Sequence, residues 1–183
     1  MPLHQHLKRL DRVWVEDPVI FITTCTHNRQ PLLANERIAS ILVEEWTGAL
    51  QRHGWMVGPY VIMPDHVHFF CAPARDEREI KMKTLSSFMQ QWKQWTSKRI
   101  LRDSCSPQRG SCSSDRGSYS PERGSCSPDR RSGQQAPIWQ AEFFDHILRS
   151  SESFFEKWEY MHQNPVRAGL VERSEDWPWS GEI

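Results

Sequence analysis

The stretch WMVGPYVIMPDHVHFFC, residues 55–71, decides the fold. It contains two runs rich in β-branched and aromatic residues, Trp55–Met63 and His66–Cys71, and only Pro64 and Asp65 separate them. Two such runs around a short polar break predict a β-hairpin. The stretch therefore predicts two antiparallel strands, and the elements on either side of it decide what kind of sheet they join.

The residues before the hairpin predict a strand and a helix. Val19–Thr26 is β-branched and aromatic, which favours a strand. Glu36–Arg52 carries apolar residues at helical spacing, Asn35 before it is a suitable N-cap, and Gly54 is a suitable helix end. This part of the chain therefore supplies the first β and α elements of the predicted order.

The residues after the hairpin predict a second helix, a short strand and a third helix. The second helix is predicted over Glu77–Arg102, and a short strand is predicted within Ile138–Leu148. The third helix is predicted over Ser151–Gln163, ended by Asn164-Pro165 because the residue before a proline avoids the α region. The order β, α, β, β, α, β, α predicts an α+β fold: a ferredoxin-like or RRM-like antiparallel sheet with helices mainly on one face.

A repeat interrupts this order between the second helix and the short strand. Residues 104–131 read SCSPQRG, SCSSDRG, SYSPERG and SCSPDRR, four copies of one seven-residue unit. Ser, Pro, Gly and Arg bury too little surface to offset chain entropy, so the unit predicts a disordered loop. Its arginines could contact phosphates and its cysteines could bind a metal, but a tolerated surface insertion is the simpler interpretation. We expect one domain over 1–183, interrupted by a low-complexity insert at 104–135.

Composition excludes several classes of protein. The chain has 183 residues with 23 Lys+Arg, 23 Asp+Glu and 8 His, so its net charge is zero. This excludes a globally basic surface for nucleic acid and leaves room for a local basic groove.

No apolar run predicts a membrane span, and the polar N-terminus does not resemble a signal peptide. Five cysteines without a CxxC pair argue against a disulfide framework, and we expect a cytoplasmic protein.

The second hairpin strand carries the sequence His66-Val67-His68. Side chains two apart on a strand share a face, so both imidazoles point the same way and Val67 points the other way. Two such imidazoles can converge on one divalent cation. The alternative is a pair of half-buried or exposed histidines with no ligand. Cys71 lies off the histidine face by the same alternation, so it is not expected to complete a zinc site.

The third helix carries Tyr160 and Asn164 four residues apart, so they share one face. A tyrosine hydroxyl is a poor nucleophile at its ordinary pKa, and it becomes useful where a metal polarises the phosphate that it attacks. Asn164 offers an amide oxygen, which suits a hard cation such as Mg²⁺ or Mn²⁺. An ordinary tyrosine and a helix-ending asparagine remain the alternatives. His162 is a further candidate ligand.

Five ordered motifs together resemble a known family. They are FITTCTHNRQPLL at 21–33, VIMPDHVHFF at 61–70, IWQAEFFDHILR at 138–149, EYMHQNPVRAGLV at 159–171 and DWPWS at 176–180. The set is similar to the single-tyrosine, IS200-like transposases of the His-hydrophobic-His nuclease superfamily. More narrowly, it resembles the REP-associated tyrosine transposases.

The resemblance implies a chemistry and a set of roles. His66, His68 and Asn164 would bind one Mg²⁺ or Mn²⁺ ion, and Tyr160 would be the nucleophile. The family cuts and rejoins single-stranded DNA beside imperfect palindromic hairpins through a 5′-phosphotyrosine. The resemblance thus implies single-stranded DNA hairpins as partners, no membrane, a monomer or homodimer, and a bacterial, nucleoid-associated protein. Asp65 stands where the family often has Asn.

DNA would be held by local basic and aromatic groups. The basic candidates are Lys81, Lys83, Lys93, Lys98, Arg99, Arg149 and Arg167, and the stacking candidates are Trp92, Trp95 and Trp139. Three alternative functions remain open from the sequence. They are a catalytically silent hairpin-binding regulator, an unrelated metal hydrolase that uses His66 and His68, and a structural protein built around the repeat.

Overall fold

A computed structural model of the chain describes residues 18–74, 82–104, 137–148 and 151–183. The predicted insert lies outside the described residues except for Ser104, as do Lys81 and Arg149. No helix in the described part is long and apolar enough to cross a membrane. The description that follows concerns the four ranges above.

Strands and helices alternate along the described chain nearly as the sequence predicts. The elements are β1 (Val19–Cys25), α1 (Glu36–Thr47), α2 (Ala49–His53), β2 (Trp55–Ile62), β3 (His66–Pro73), α3 (Leu85–Ser104), β4 (Phe144–Leu148), α4 (Ser151–His162), α5 (Asn164–Arg167) and β5 (Ser180–Gly181). Short 3₁₀ turns cover His27–Arg29 and Ser174–Asp176.

The strands form one antiparallel sheet in the order β4-β1-β3-β2-β5. The central pair, β1 and β3, runs from Ile20 opposite Cys71 to Cys25 opposite His66. The order β4-β1-β3-β2 is that of a ferredoxin-like sheet, and the two-residue β5 extends its β2 edge. The predicted fold class, an α+β antiparallel sheet of this type, is confirmed.

Two cores lie on the two faces of the sheet. On one face α1 and α3 bury apolar residues that include Trp46 and Trp92, whose rings stack 5.5 Å apart, against Val67 and Phe69 of β3. On the other face Phe70 packs with residues of α4 and of the C-terminal segment, which include Met161 and Trp177. Helices α1 and α3 thus cover one face, and α4 lies on the opposite face, where the histidines of β3 also point.

The first helix is capped as predicted but is interrupted. The side-chain oxygen of Asn35 accepts from the backbone N–H of Ile38 at 3.0 Å, and Gly54 ends α2 with a φ of +74°. The predicted continuous helix is divided at Gly48, which ends α1 and precedes α2. The Arg52 guanidinium occupies the space that a Cβ at residue 48 would need. That guanidinium donates to the carbonyl and carboxylate oxygens of Glu45, both at 2.8 Å.

The other two predicted helices also have different bounds. Helix α3 runs from Leu85 to Ser104, and residues 82–84 before it are not helical. The predicted start at Glu77 lies outside the described residues. The third helix ends at His162, and Asn164 begins the separate short helix α5. Pro165 is tolerated there because the first turn of a helix needs no N–H from it. Asn164-Pro165 therefore starts a new helical turn.

Candidate active site

Strand β3 presents His66 and His68 on the sheet face that carries α4. Their Nε2 atoms lie 3.1 Å apart, and the two rings meet edge to face with centroids 4.7 Å apart. The hydroxyl of Thr23, directly opposite His68 on β1, lies 2.8 Å from the Nδ1 atom of His68. Phe21 stacks on the same imidazole at 5.4 Å. The neighbouring strand thus fixes the orientation of His68.

The orientation of His66 is fixed from the turn before β3. Its Nδ1 atom donates to a carboxylate oxygen of Asp65 at 2.6 Å, and the other oxygen of Asp65 accepts from Arg29 Nε at 2.8 Å. Arg29 and Asn28 both have positive φ, +55° and +53°, which non-glycine residues rarely adopt. This strained turn carries the arginine that faces the carboxylate.

Asn164 and Tyr160 reach the histidines from α5 and α4. The Asn164 amide donates to His68 Nε2 at 2.7 Å and lies 3.4 Å from His66 Nε2. The Tyr160 ring stands edge-on to His68 with centroids 5.9 Å apart, and it is 46 % exposed. The four residues singled out from the sequence are therefore brought together. Their roles in binding or catalysis remain predictions.

Burial favours the neutral form of both histidines. Burial lowers the pKa of His66 below its ordinary value, although Asp65 opposes this change. Burial, then the neighbouring His66 and the guanidinium of Arg167, lower the pKa of His68 to about 3. A neutral histidine that donates from Nδ1 has a lone pair on Nε2, which is the form that binds a metal. Asp65 accepts from Nδ1 of His66 in this way.

The donor set fits a divalent cation. Two neutral Nε2 atoms and one amide meet within hydrogen-bond distance of each other, and each imidazole has a partner at Nδ1, as metal-ligating histidines usually have. Among the described residues no three His, Cys, Asp or Glu side chains are placed to hold a metal ion together. The amide of Asn164, 2.7 Å from His68 Nε2, is the candidate third ligand. A half-turn of its amide exchanges the donor NH₂ for the acceptor oxygen.

Two other sequence candidates are not part of this cluster. His162 stacks on Trp158 at 4.6 Å, so its ring packs against its own helix rather than the other histidines. Cys71 is buried in the core on the opposite face of the sheet, where burial raises its pKa. The predicted position of Cys71 off the histidine face is confirmed.

Two cations flank the ring of Tyr160. The Arg167 guanidinium lies 4.3 Å from the ring centroid and also donates to the Tyr160 backbone carbonyl. The Lys157 ammonium lies 5.9 Å from the same ring and 5.8 Å from that of Phe21. Arg167 was predicted from the sequence as a DNA-binding residue, and Lys157 was missed. Its position three residues before Tyr160 on one helix is the signal that could have found it.

Other residues of the site were also missed. Thr23 could have been found from strand alternation once the pairing of β1 with β3 was known. Asp65 was noted only as a departure from the family pattern, although a carboxylate next to a ligating histidine is a common orienting group. Arg29 has no local signal, because its contact with Asp65 crosses 36 positions of the sequence.

The remaining basic candidates lie in other surroundings. Lys83 donates to Gln91 at 2.7 Å, and Lys98 lies 5.1 Å from the ring centroid of Trp95. The Arg99 guanidinium is paired with two carboxylates of α1, those of Glu44 and Glu45.

Lys93, one of the predicted DNA-binding residues, lies in a different environment from the exposed candidates. It is buried, and its ammonium donates to the backbone carbonyls of Gln140, Ala141 and Glu142 at 2.9–3.2 Å. The ammonium is therefore directed at backbone carbonyls inside the protein and is not presented at the surface, where a phosphate would bind. Lys93 is therefore a structural residue that ties α3 to the segment before β4.

The tryptophan candidates divide in the same way. Trp92 and Trp139 are 1 % and 5 % exposed and pack against each other in the core, so they offer no face to a base. Trp95 is 49 % exposed. It lies on α3, which covers the sheet face opposite the histidines. The exposed tryptophan is thus remote from the candidate site.

The fold and site define a ferredoxin-like domain with a His-hydrophobic-His strand and a facing tyrosine helix. The chain is 36 % identical over 47 residues, 26 % of its length and 27 % of the relative's, to a Haemophilus influenzae protein named as a REP-associated tyrosine transposase. It is 37 % identical over 43 residues, 24 % of its length and 26 % of the relative's, to the REP-associated tyrosine transposase of Escherichia coli K12. Each match spans about a quarter of the relative. No family model matches the chain.

A solved structure shares the fold. It is the structure of a REP-associated tyrosine transposase bound to a REP hairpin, with a TM-score of 0.62 and 18 % identity over 95 % of this chain and 82 % of that one. The resemblance indicated by the motifs is thereby confirmed: this chain is similar to REP-associated tyrosine transposases in both sequence and fold.

Proposed function

We propose that this chain is a metal-dependent endonuclease and transposase for single-stranded DNA. It would cut and rejoin DNA beside hairpins, as expected of a REP-associated tyrosine transposase in the His-hydrophobic-His superfamily. One observation carries the proposal: His66, His68 and Asn164 meet at one point, and the ring of Tyr160 stands beside them. A hairpin-bound structural relative supports a hairpin substrate.

The residues would divide the work as follows. His66 and His68 would hold one Mg²⁺ or Mn²⁺ ion through Nε2, and Asn164 would hold it through the amide oxygen. When bound, the ion supplies a positive charge that polarises and orients a phosphate. Asp65 and Thr23 keep the two imidazoles aligned from behind.

Tyr160 would attack the phosphorus of a phosphodiester. The bond from the phenolic oxygen to phosphorus forms, and the bond from phosphorus to the 3′-oxygen breaks, which leaves a 5′-phosphotyrosine and a free 3′-hydroxyl. Because the Tyr160 side chain is half exposed, its proton can pass to solvent, and solvent can protonate the leaving oxygen. The covalent link preserves the phosphodiester energy, so attack by a 3′-hydroxyl on the phosphotyrosine rejoins the strand without ATP.

Covalent capture tests this proposal. The full chain is incubated with Mn²⁺ and a pool of labelled hairpins that carry random single-stranded flanks, and the products are separated on a denaturing gel. We expect a slow, protease-sensitive adduct that Tyr160→Phe and His66→Ala abolish. Tyr60→Phe is the matched control, because Tyr60 of β2 packs against Trp46 in the core on the opposite face of the sheet. The amount of adduct that this variant forms should equal that of the wild type.

The other outcomes separate the alternatives. Hairpin binding without any adduct would support a catalytically silent regulator. Cutting that survives Tyr160→Phe would replace the tyrosine mechanism with a hydrolase that uses the histidines. Deletion of 104–131 should leave the adduct in place if the repeat is not part of the active domain.

A further inference from the structure

The edge strand β4 exposes two aromatic rings side by side. Phe144 is 48 % exposed, and His146 two residues later is also exposed. Their rings are parallel within 7°, with centroids 6.5 Å apart. Neither residue belongs to either buried core. The strand therefore carries a flat, solvent-facing aromatic surface.

This surface lies on the same face of the sheet as the candidate site. Phe144 is directly opposite Thr23 on β1, and His146 is directly opposite Phe21. Residues directly opposite each other on antiparallel strands share a face. Thr23 and Phe21 are the two residues of β1 that contact His68. The rings thus lie two strand spacings from β3, which is about 10 Å.

We propose that Phe144 and His146 form a stacking platform for an unpaired base of the single-stranded DNA flank that enters the site. The proposal rests on the proposed function, and it adds a subsite for the nucleotide beside the one that reacts. Bases stack on aromatic side chains with about 1–3 kcal/mol per base, and the stacking tolerates any sequence because every base has a π-face.

Charge on the same face favours nucleic acid as the occupant. The Lys157 ammonium lies 5.8 Å from the ring of Phe21, which is the cross-strand neighbour of His146, and 5.9 Å from the ring of Tyr160. A cation therefore lies beside the nucleophile and beside the β1 residue that neighbours the platform. A strand that stacks a base on the platform would carry a phosphate towards Lys157 on the way to Tyr160.

The intervening carboxylate does not oppose this path. Asp145 lies between Phe144 and His146 in sequence, so alternation places it on the other face of β4. Its cross-strand partner is Ile22, which is buried in the helix-side core. The face of β4 that carries Phe144 and His146 therefore does not carry Asp145, the acidic residue of this strand.

A binding cycle between base and ring tests the platform. The full chain with Tyr160→Phe, which prevents cleavage, is titrated against a DNA hairpin flanked on both sides by six dT nucleotides. It is also titrated against the same hairpin with abasic flanks, and fluorescence anisotropy is read with Mn²⁺ present. We expect removal of the bases to weaken binding roughly 5- to 150-fold, which corresponds to 1–3 kcal/mol. With Phe144→Ala and His146→Ala added, the two hairpins should bind alike.

Trp95→Ala is the control, because it removes an equally exposed aromatic ring from α3, on the other side of the sheet. It should leave the difference between the two hairpins unchanged. The proposal is overturned if the chain that keeps Phe144 and His146 binds the dT-flanked and the abasic-flanked hairpins with equal affinity. It is also overturned if no dT-flanked hairpin binds, or if Trp95→Ala removes the base dependence.

Photocrosslinking provides a second readout that needs no aromatic variant to fold. The dT residues of the flank are replaced one at a time by 5-iododeoxyuridine, and the crosslinked residue is identified by mass spectrometry. Crosslinks at Phe144 or His146 are expected, and crosslinks confined to other residues overturn the platform. A covalent adduct without base dependence would leave the proposed function intact, whereas base dependence without an adduct would remove the catalysis and keep the subsite.

Discussion

The hydroxyl oxygen of Thr23 lies 2.8 Å from Nδ1 of His68, across the pairing of β1 with β3. If Nδ1 donates to this oxygen, the lone pair of His68 is on Nε2, where Asn164 meets it at 2.7 Å. A side chain of the neighbouring strand can therefore set the tautomer of a candidate ligand. Loss of such a partner behind a metal-ligating histidine typically lowers metal affinity about 10- to 100-fold.

Thr23→Val should weaken Mn²⁺ binding about 10- to 100-fold, because the isosteric change removes the oxygen that orients His68. Thr23→Ser keeps the hydroxyl and should bind within a few-fold of the wild type. Isothermal titration calorimetry on both variants measures the difference. Equal affinity for Val and Ser at this position would show that the hydroxyl does not orient the ring.

Asp65 orients His66 in a corresponding way, through the 2.6 Å contact at Nδ1. Asp65→Asn retains an oxygen that can accept this hydrogen bond, so metal affinity should fall only a few-fold. Asp65→Ala removes the acceptor and also leaves Arg29 without its carboxylate partner, and affinity should fall about 10- to 100-fold. The same calorimetry compares the two variants. If Asp65→Asn loses as much metal affinity as Asp65→Ala, the effect comes from the charge of Asp65 and not from its hydrogen bond.

His53 should make the stability of the fold depend on pH. Burial, then the positive charges of Lys83 and Arg52, lower its pKa below the ordinary 6.5 in the folded chain. As pH falls below 6.5, His53 takes up a proton more readily in the unfolded chain than in the folded chain. The free energy of unfolding therefore decreases. His53→Gln removes this contribution and should flatten the decrease.

Urea denaturation at pH 7.5, 6.5 and 5.5 measures the His53 effect. The depressed pKa values of His66 and His68 act in the same direction, so the variant should retain part of the slope. The difference in slope between the two proteins is the contribution of His53. Parallel curves would contradict the assignment.

Lys93→Met should destabilise the fold without affecting DNA binding. The ammonium of Lys93 satisfies three backbone carbonyls, and methionine keeps much of the buried volume but donates no hydrogen bond. Unsatisfied buried acceptors cost about 1–3 kcal/mol. Urea denaturation should show this loss, and hairpin affinity measured below the transition should be unchanged. Loss of affinity at full stability would return Lys93 to the DNA-binding set.

Local rules were sufficient for part of this site. Strand alternation alone places His66 and His68 together and Cys71 on the opposite face, as the structure has them. Helical spacing alone puts Tyr160 and Asn164 on one side of a helix, although the chain starts a new helical turn at Asn164. These relations hold between residues that are a few positions apart, so they can be predicted from a single sequence.

Other relations depend on contacts between distant segments. Lys93 looks like one more exposed lysine of a helix until the segment before β4, 47 to 49 positions later, supplies three carbonyls. The sequence favours Trp139 as an exposed stacking residue, but in the structure its indole N–H donates to the hydroxyl of Thr96 on α3 at 2.9 Å. Periodicity records which face of an element is apolar, and it does not record which distant polar group meets a given side chain.

Arg167 should contact DNA phosphate beside the nucleophile, because its guanidinium covers the ring of Tyr160 at 4.3 Å on an exposed surface. Each phosphate contact to single-stranded DNA contributes about 0.7 to the slope of log affinity against log salt concentration. Arg167→Gln should therefore lower that slope by about 0.7 for dT-flanked hairpins. Arg99→Gln is the matched control, since Glu44 and Glu45 already hold that guanidinium, and its slope should equal that of the wild type. Equal slopes for both variants would make Arg167 a support for the tyrosine ring alone, whereas a drop confined to Arg167→Gln places a phosphate next to Tyr160.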